Sequence, residues 1–272
     1  MTGSKSGTPR FENVTEAAGI PVTAEAADMI YTRYRVGAHL ASGKRVLELG
    51  CGAGNGLGLL ARRAAQLVGA DYSEVLLGLA RRHFGDRVPL ARLTAEALPF
   101  RAGVFDLVLF FEASYYVPHM DLAFGEIARV LAPGGEALFV NANPERPDFI
   151  TSPYSVHYHT ADEFRRSLDL VGLTARGEGA FPVGHEAIAA SGRLLAFGLA
   201  PARRVLESLR LVPKTLRGRA RLKRLIFGRL KPLPPEIPEG FARVVPRTPL
   251  APGPARGFKV IYVLGRKAAA GG

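Results

Sequence analysis

Residues 46–56, which read Val-Leu-Glu-Leu-Gly-Cys-Gly-Ala-Gly-Asn-Gly, decide the fold of this chain. Val46 to Leu49 is a short apolar strand, and alternating glycines follow it before Leu57 begins a helical pattern. Because glycine has no Cβ, a strand that turns into a helix through such a loop lets a ligand lie against bare backbone. The spacing is E-x-G-x-G-x-G, and no register of the loop gives the G-x-G-x-x-G spacing that binds a dinucleotide pyrophosphate. The loop therefore favours a ligand without phosphates.

Four further motifs follow in the order of an alternating strand and helix pattern. Residues 66–73 read as a second strand that ends in an acid, Asp71, 17 residues after Gly54. Residues 93–100 read as a loop after a third strand, and residues 105–112 read as a fourth strand. Residues 131–140 read as a turn into a fifth strand. In this order and spacing, the motifs resemble those of class I S-adenosylmethionine-dependent methyltransferases. The resemblance covers roughly residues 25–182 and the last strand, and its small-molecule branch includes ubiquinone, menaquinone, sugar and natural-product methyltransferases.

This resemblance implies an α/β fold with a Rossmann-like, doubly wound sheet of seven strands, of which strand seven is antiparallel. We expect an N-terminal tail at 1–23 and a domain that binds S-adenosylmethionine at 24–186 with 257–267. Residues 187–256 then form a basic helical insertion between strands six and seven. Eight of the 20 prolines fall between residues 232 and 254, so the insertion is predicted to return in an extended segment.

The resemblance also assigns cofactor contacts to individual positions. In this family the acid that ends the second strand, here Asp71, accepts both ribose hydroxyls. The adenine loop usually has an acid where this chain has Thr94, whose hydroxyl accepts a hydrogen bond without charge assistance, and Glu96 could substitute. Arg33 could reach the cofactor carboxylate from the N-terminal helix, for which an ordinary amphipathic helix is the alternative. The predicted cofactor-binding residues are Tyr31, Arg33, Glu48, Gly50, Cys51, Gly52, Asp71, Tyr72, Thr94, Ala95, Glu96 and Phe110.

The chemistry implied by the cofactor limits what the protein must supply. A sulfonium makes its methyl group electrophilic, so the enzyme aligns a nucleophile and excludes water, and only a hydroxyl or carbon acid needs a base. Glu112 follows the fourth strand, and His157 and His159 follow the fifth, so we predict the base among these three, with a structural role as the alternative for each. Tyr115 and Tyr116 are predicted to border the acceptor. No metal site is predicted, because the chain has one cysteine and no acid cluster beside the histidines.

The net charge of +12 is concentrated in one segment. Residues 193–231 contain 12 lysines and arginines and a single acid, Glu207, whereas residues 1–192 contain 18 basic and 21 acidic residues. We expect two amphipathic helices there to cover the acceptor side of the pocket and to attract an anionic acceptor or an acidic membrane surface. The alternative is a solvated face that binds nothing. With one cysteine and no apolar leader, the expected location is cytoplasmic or peripheral at the inner membrane face.

Three functional classes remain open at this point. The favoured class is methyl transfer to oxygen on a small molecule, a glycan or a lipid-linked acceptor. A nucleic-acid methyltransferase is disfavoured for two reasons. The fourth strand ends in Phe-Phe-Glu-Ala and lacks the Asn/Asp-Pro-Pro-Tyr sequence of enzymes that methylate base amino groups. The chain also has no second cysteine for nucleophilic attack on a pyrimidine. A non-catalytic module that binds an adenosyl group is the third class, since glycines and an acid indicate binding without proving turnover.

Overall fold

The computed structural model describes residues 16–183 and 230–269 and is built on a central β-sheet. The strands are β1 (Pro21–Val22), β2 (Arg45–Leu49), β3 (Gln66–Asp71), β4 (Leu90–Arg92), β5 (Phe105–Phe111), β6 (Leu131–Ala142), β7 (Leu173–Pro182), β8 (Lys231–Pro232), β9 (Thr248–Pro249) and β10 (Phe258–Lys267). The helices are α1 (Ala24–Leu40), α2 (Leu57–Ala61), α3 (Glu74–Phe84), α4 (Met120–Val130) and α5 (Ala161–Leu170).

The main sheet has the strand order β4-β3-β2-β5-β6-β10-β7-β9. The pairs from β4 to β6 are parallel, and β10 is antiparallel to both of its neighbours. The predicted doubly wound fold with an antiparallel last strand is therefore confirmed. The sheet has eight strands instead of the predicted seven, because the two residues of β9 add an edge to β7 through the pairs Glu178–Pro249 and Gly179–Thr248.

Helices cover both faces of the sheet, and successive side chains of each strand point to opposite faces. In β5, Leu107 and Leu109 pack on the face covered by α1, α2 and α3, whereas Val108 and Phe110 pack on the face covered by α4 and α5. Both faces of this strand are buried, which explains its continuous apolar sequence. The carboxyl ends of the parallel strands meet at one edge of the sheet, where open α/β sheets bind ligands.

Side-chain caps set the starts of the helices that flank this edge. Thr23 Oγ1 accepts a hydrogen bond from the Ala26 N–H at 3.1 Å and begins α1. The predicted capping box at the start of α5 is confirmed, because Thr160 Oγ1 accepts from the Glu163 N–H at 3.2 Å and Glu163 Oε2 accepts from the Thr160 N–H at 2.7 Å.

The proline-rich return segment packs into the domain over residues 233–241. Leu233 and Ile237 are buried in the core under α1 and α2. Asn55, in the glycine loop, donates from Nδ2 to the Pro234 carbonyl at 2.6 Å and accepts from the Ile237 N–H at 2.8 Å. The return segment therefore supports the loop that the sequence predicts to bind the cofactor.

Most of the basic insertion lies outside the described residues. This applies to the two predicted amphipathic helices and to the basic residues expected on their exposed faces, which are Arg217, Arg219, Arg221, Lys223 and Arg224. The predicted division into a tail, a main domain and an insertion stays a prediction. Within residues 16–183 and 230–269, no helix is long and apolar enough to cross a membrane.

Candidate active site

A cavity of about 530 Å³ opens at the carboxyl ends of β2, β3 and β5. The glycine loop forms its floor, and the loops that follow β3, β4 and β5 form its walls. Residues of α1 and of the segment before it close one side. The cavity is large enough for a small-molecule ligand, for which pockets typically measure about 300–1,000 Å³.

The glycine loop has the backbone conformation that its sequence predicts. Gly50 and Gly52 have φ angles of +68° and +58°, which only glycine adopts readily. A Cβ on Gly50 would lie 2.4 Å from the Ala113 Cβ, so the loop also needs glycine for close packing. Cys51 lines the cavity between them, and burial raises the pKa of its thiol well above the usual value. This residue therefore packs in the cavity wall as a neutral thiol.

Asp71 lies at the end of β3 and holds the glycine loop in place. Its Oδ2 accepts a hydrogen bond from the Gly52 N–H at 2.8 Å, and its Oδ1 accepts from the Ser73 N–H at 2.8 Å. Burial raises the pKa of this carboxyl, and the backbone N–H donors oppose that effect. Each oxygen keeps a second lone pair, so the carboxylate can still accept two hydroxyl donors from a ligand.

Glu48 lies behind the cavity wall in a buried pair with Tyr34. The Tyr34 hydroxyl donates to Glu48 Oε1 at 2.8 Å, and Oε2 is buried without a partner among the described residues. Burial raises the pKa of Glu48 to about 7, against the hydrogen bond from Tyr34 and the charge of Arg33, which lower it. Glu48 does not line the cavity. Tyr31, also predicted to bind the cofactor, accepts from the Gly240 N–H at 2.6 Å and does not line it either.

Arg33 reaches the cavity from α1 and forms an ion pair with Glu16 there. Burial lowers the pKa of Arg33, but the neighbouring Glu16 carboxylate outweighs burial, and the pKa lies above its ordinary value. Arg33 Nε is buried without a hydrogen-bond partner among the described residues. A guanidinium that faces a cavity with an unused donor is suited to a ligand carboxylate.

Glu112 follows β5 with a φ of +48°, a conformation that costs free energy for a residue with a side chain. The strained backbone directs Glu112 into the cavity, where its Oε2 accepts a hydrogen bond from the Tyr115 hydroxyl at 3.2 Å. Burial raises the pKa of Glu112, and the charge of Arg33 opposes this effect. A carboxylate with a raised pKa in a cavity is a candidate general base.

Aromatic and aliphatic side chains form the wall beside Glu112. Tyr115 stacks on Tyr158 with ring centroids 4.1 Å apart, and the hydroxyl of Tyr116 lies 2.6 Å from Ser152 Oγ. The Val156 N–H donates to the Tyr115 carbonyl at 2.8 Å, which fixes the loop after β6 against this wall. Val156 and Tyr154 line the mouth of the cavity, and their exposed fractions are 58% and 50%. The face beside Glu112 is therefore largely apolar.

The two histidines lie outside the cavity lining. His157 Nε2 is 3.5 Å from Glu163 Oε2, and the His159 ring packs between Phe124 and Phe164. Burial, together with the neighbouring His157, lowers the pKa of His159 to about 4. Neither histidine ring therefore lies in the cavity with Glu112. The other predicted cofactor and acceptor residues line the cavity, with the exceptions of Tyr31 and Glu48.

Several cavity residues were not found from the sequence. Glu16 belongs to the predicted tail, and Asn55 is the non-glycine residue near the end of the loop. Tyr154 and Val156 lie in a segment of 18 residues between β6 and α5 that has no periodic pattern. The signal for Asn55 was present, since a polar residue within a ligand-binding glycine loop needs its own partners. No local signal marks Glu16.

The fold and the cavity together define a class of protein. The alternating sheet with one antiparallel strand, the glycine loop without the dinucleotide spacing and the acid at the end of the next strand resemble class I methyltransferase domains. The cavity fits S-adenosylmethionine, because Gly50 and Gly52 leave backbone exposed to a ligand and because Asp71 and Arg33 offer an acceptor pair and a cation.

Comparison with known proteins agrees with this class. Residues 47–139 match a family model described as a methyltransferase domain. The chain is 40% identical over 121 residues to a phthiotriol/phenolphthiotriol dimycocerosates methyltransferase of Mycobacterium ulcerans, which covers 43% of this chain and 45% of that protein. It is 43% identical over 105 residues to a fatty-acid O-methyltransferase of Mycolicibacterium smegmatis, covering 38% of each. The matched region thus spans less than half the length of these relatives.

A solved structure extends the similarity beyond the matched region. An S-adenosylmethionine-dependent methyltransferase from Mesorhizobium loti covers 88% of this chain and 98% of its own, with a TM-score of 0.53. Its sequence identity is 18%, so this similarity concerns the fold. Residues 47–139 match the methyltransferase domain model, and these comparisons support the predicted resemblance to class I, S-adenosylmethionine-dependent methyltransferases of the small-molecule branch.

Proposed function

We propose that this protein transfers a methyl group from S-adenosylmethionine to a hydroxyl group on an apolar small molecule or lipid. When bound, the cofactor supplies an electrophilic methyl group on its sulfonium. The glycine loop, Asp71 and the segment Thr94–Glu96 bind it, and Arg33 pairs with its carboxylate. The names of the two relatives, which specify dimycocerosates and a fatty acid, support an acceptor of this kind.

The wall beside Glu112 supports an apolar acceptor. Tyr115, Tyr116, Val117, Pro118 and Val156 offer rings and methyl groups to a ligand that enters from the mouth. Burial of apolar area against such a wall contributes about 25 cal/mol per Å². Sugars and nucleotides need dense hydrogen bonding, and this side of the cavity provides little of it.

Glu112 carries the proposal that oxygen is methylated. A hydroxyl acceptor must lose its proton as the new bond to carbon forms, so a base within hydrogen-bond reach accelerates transfer by about 10²–10⁴. Glu112 accepts that proton in its ionised form, and Tyr115 orients its carboxylate. Because its pKa is raised by burial, the rate is expected to rise with pH through the pKa of Glu112.

The test uses methyl-tritiated S-adenosylmethionine with hydroxy fatty acids, alkylphenols and unsubstituted fatty acids as separate acceptors. We expect label in a hydroxyl acceptor and a fall in kcat of roughly 10²-fold in Glu112→Gln, with the affinity for S-adenosylhomocysteine within threefold of wild type. A fatty acid that is methylated on its carboxylate needs no base, so its rate would not fall in this variant.

The exposed, ion-paired Glu74 provides the control variant, Glu74→Gln, which should behave as wild type. Equal turnover of hydroxyl acceptors by Glu112→Gln and wild type would refute the role of Glu112. Cofactor binding without labelled product from any acceptor, a lipid extract or RNA would favour the adenosyl-binding module instead.

A second proposal concerns the basic residues between 193 and 231. We propose that they attract an anionic acceptor or an acidic membrane surface, at which each basic residue contributes about 1 kcal/mol. Co-sedimentation with phosphatidylglycerol vesicles, but not with phosphatidylcholine vesicles, is expected at low salt. Replacement of Arg217, Arg219, Arg221, Lys223 and Arg224 by glutamine should abolish it. Equal sedimentation with both lipids would show that these charges serve only solubility.

A further inference from the structure

A second cavity, of about 470 Å³, lies between α1 and the antiparallel part of the sheet. We call it the α1 groove, and its lining residues are Arg35, Val36, His39, Leu40, Leu138, Arg176, Glu178, Val244, Arg247, Tyr262 and Leu264. None of these residues lines the cavity that contains Asp71 and Glu112. The proposed methyl transfer therefore makes no use of the groove.

The strand register builds an apolar floor with a charged edge. Leu138, Leu264 and Arg176 are neighbours across β6, β10 and β7, because Leu264 pairs with Leu138 on one side and with Arg176 on the other. In α1, Val36 and Leu40 are four residues apart and face the same way. Aliphatic side chains thus line the interior, and Arg176 lies at the rim, where its side chain is exposed.

Cationic side chains outnumber anionic ones around the groove. Arg247 is paired with Glu178, and Arg35 is paired with Glu239. Arg176 has no hydrogen bond or ion pair with another described residue. One guanidinium, with its five donors, is therefore left for a ligand at the edge of an apolar surface.

The Tyr262 hydroxyl is a buried polar group of the α1 groove that is available to a ligand. Tyr262 is 2% exposed and lines the groove, yet its hydroxyl has no hydrogen-bond partner in the described part of the chain. A buried hydroxyl without a partner is costly, and the great majority of such groups in native proteins are satisfied. The Arg247 guanidinium lies over the same ring at 5.5 Å from its centroid.

We infer that the α1 groove binds an amphiphilic anion, with an aliphatic body on Val36, Leu40 and Leu264 and a carboxylate or phosphate headgroup at Arg176. The Tyr262 hydroxyl donates a hydrogen bond to the ligand. An inorganic anion would leave the apolar floor unused, and a neutral amphiphile would leave Arg176 unpaired. Both the fatty carboxylate and the alkyl phosphate satisfy the same groups.

The experiment measures binding alone, so it does not depend on methyl transfer. Wild-type protein saturated with S-adenosylhomocysteine is titrated in a calorimeter with octanoate, octyl phosphate, octyl glucoside and inorganic phosphate. Octanoate and octyl phosphate should each bind at a saturable site in the groove that persists in Tyr116→Ala, and the comparison of the two identifies the preferred headgroup. The glucoside and inorganic phosphate should bind at least tenfold more weakly.

Variants assign the site. Arg176→Ala should weaken octanoate binding about tenfold or more, and Tyr262→Phe, which removes only the hydroxyl, should weaken it several-fold. Arg101→Ala removes one exposed positive charge outside both cavities and should have no effect. Tyr116→Ala alters the acceptor wall of the other cavity and should leave groove binding intact. The inference is overturned if Arg176→Ala binds octanoate as wild type does, or if octyl glucoside binds as tightly as octanoate.

Discussion

Replacement of Asp71 by asparagine tests how the cavity holds its cofactor. Asp71 accepts from the Gly52 and Ser73 N–H groups, and its remaining lone pairs are proposed to accept two ribose hydroxyls. Asparagine offers one acceptor atom, and its amide nitrogen must face a backbone donor or a hydroxyl. Hydrogen bonds to charged groups contribute about 1.5–3 kcal/mol each, so we expect a loss of about 2–4 kcal/mol in binding. This corresponds to roughly 30- to 700-fold in Kd.

The assay is calorimetric titration with S-adenosylhomocysteine at neutral pH. Part of the loss could come from the glycine loop, since Asp71 also orders Gly52. A second pair of ligands, adenosine and 2′,3′-dideoxyadenosine, separates the two contributions. Wild type should prefer adenosine by at least tenfold, and Asp71→Asn should lose most of this preference, because only the ribose contribution depends on the two hydroxyls.

Asp86→Asn provides the matched control, since Asp86 is exposed in the turn after α3 and outside the cavity. Its affinity for both ligands should equal that of wild type. The reasoning fails if Asp71→Asn binds S-adenosylhomocysteine within threefold of wild type while its thermal unfolding is unchanged. It also fails if wild type does not distinguish adenosine from the dideoxy compound.

Three further predictions concern stability. Gly50→Ala should lower the free energy of unfolding in urea more than Gly43→Ala. Both glycines have φ near +68°, but only at Gly50 would a new Cβ clash, with the Ala113 Cβ at 2.4 Å. Equal losses in the two variants would contradict this prediction. The pKa of Glu48 is about 7 in the folded protein and 4.5 ordinarily, so the folded state favours the protonated form. The free energy of unfolding of wild type should therefore fall by about 3 kcal/mol as the pH rises from 4.5 to 7, and Glu48→Gln should abolish this dependence. The pKa of His159 is lowered from 6.5 to about 4, so its effect on stability has the opposite pH dependence. The free energy of unfolding of wild type should fall as the pH falls from 6.5 to 4, by a smaller amount than for Glu48 because the ring is only partly buried. His159→Phe should remove this loss. Parallel pH profiles of variant and wild type would refute either assignment.

The sequence by itself determined the sheet and the side of the cavity formed by the glycine loop and Asp71. A strand, its glycine loop and the acid of the next strand are close in the chain, and backbone sterics dictate what such a segment does. The positions of Gly50, Gly52 and Asp71 followed from this local pattern. Because the carboxyl ends of parallel strands share one edge, Glu112 and Tyr115 could also be placed there from the order of the strands.

Tertiary structure alone decided which side chains complete the site. Glu16 and Arg33 are 17 residues apart and meet only because the chain before α1 folds back over the cavity. His157 and His159 follow β6, the fifth strand of the sequence prediction, but neither lines the cavity that contains Glu112. The His159 ring packs on Phe124 and Phe164, and His157 lies 3.5 Å from Glu163. Pro234 of the return segment contacts Asn55 although the two residues are 179 positions apart in the sequence. Such long-range contacts leave no periodic signal, since they depend on packing and charge between elements that the local sequence does not specify.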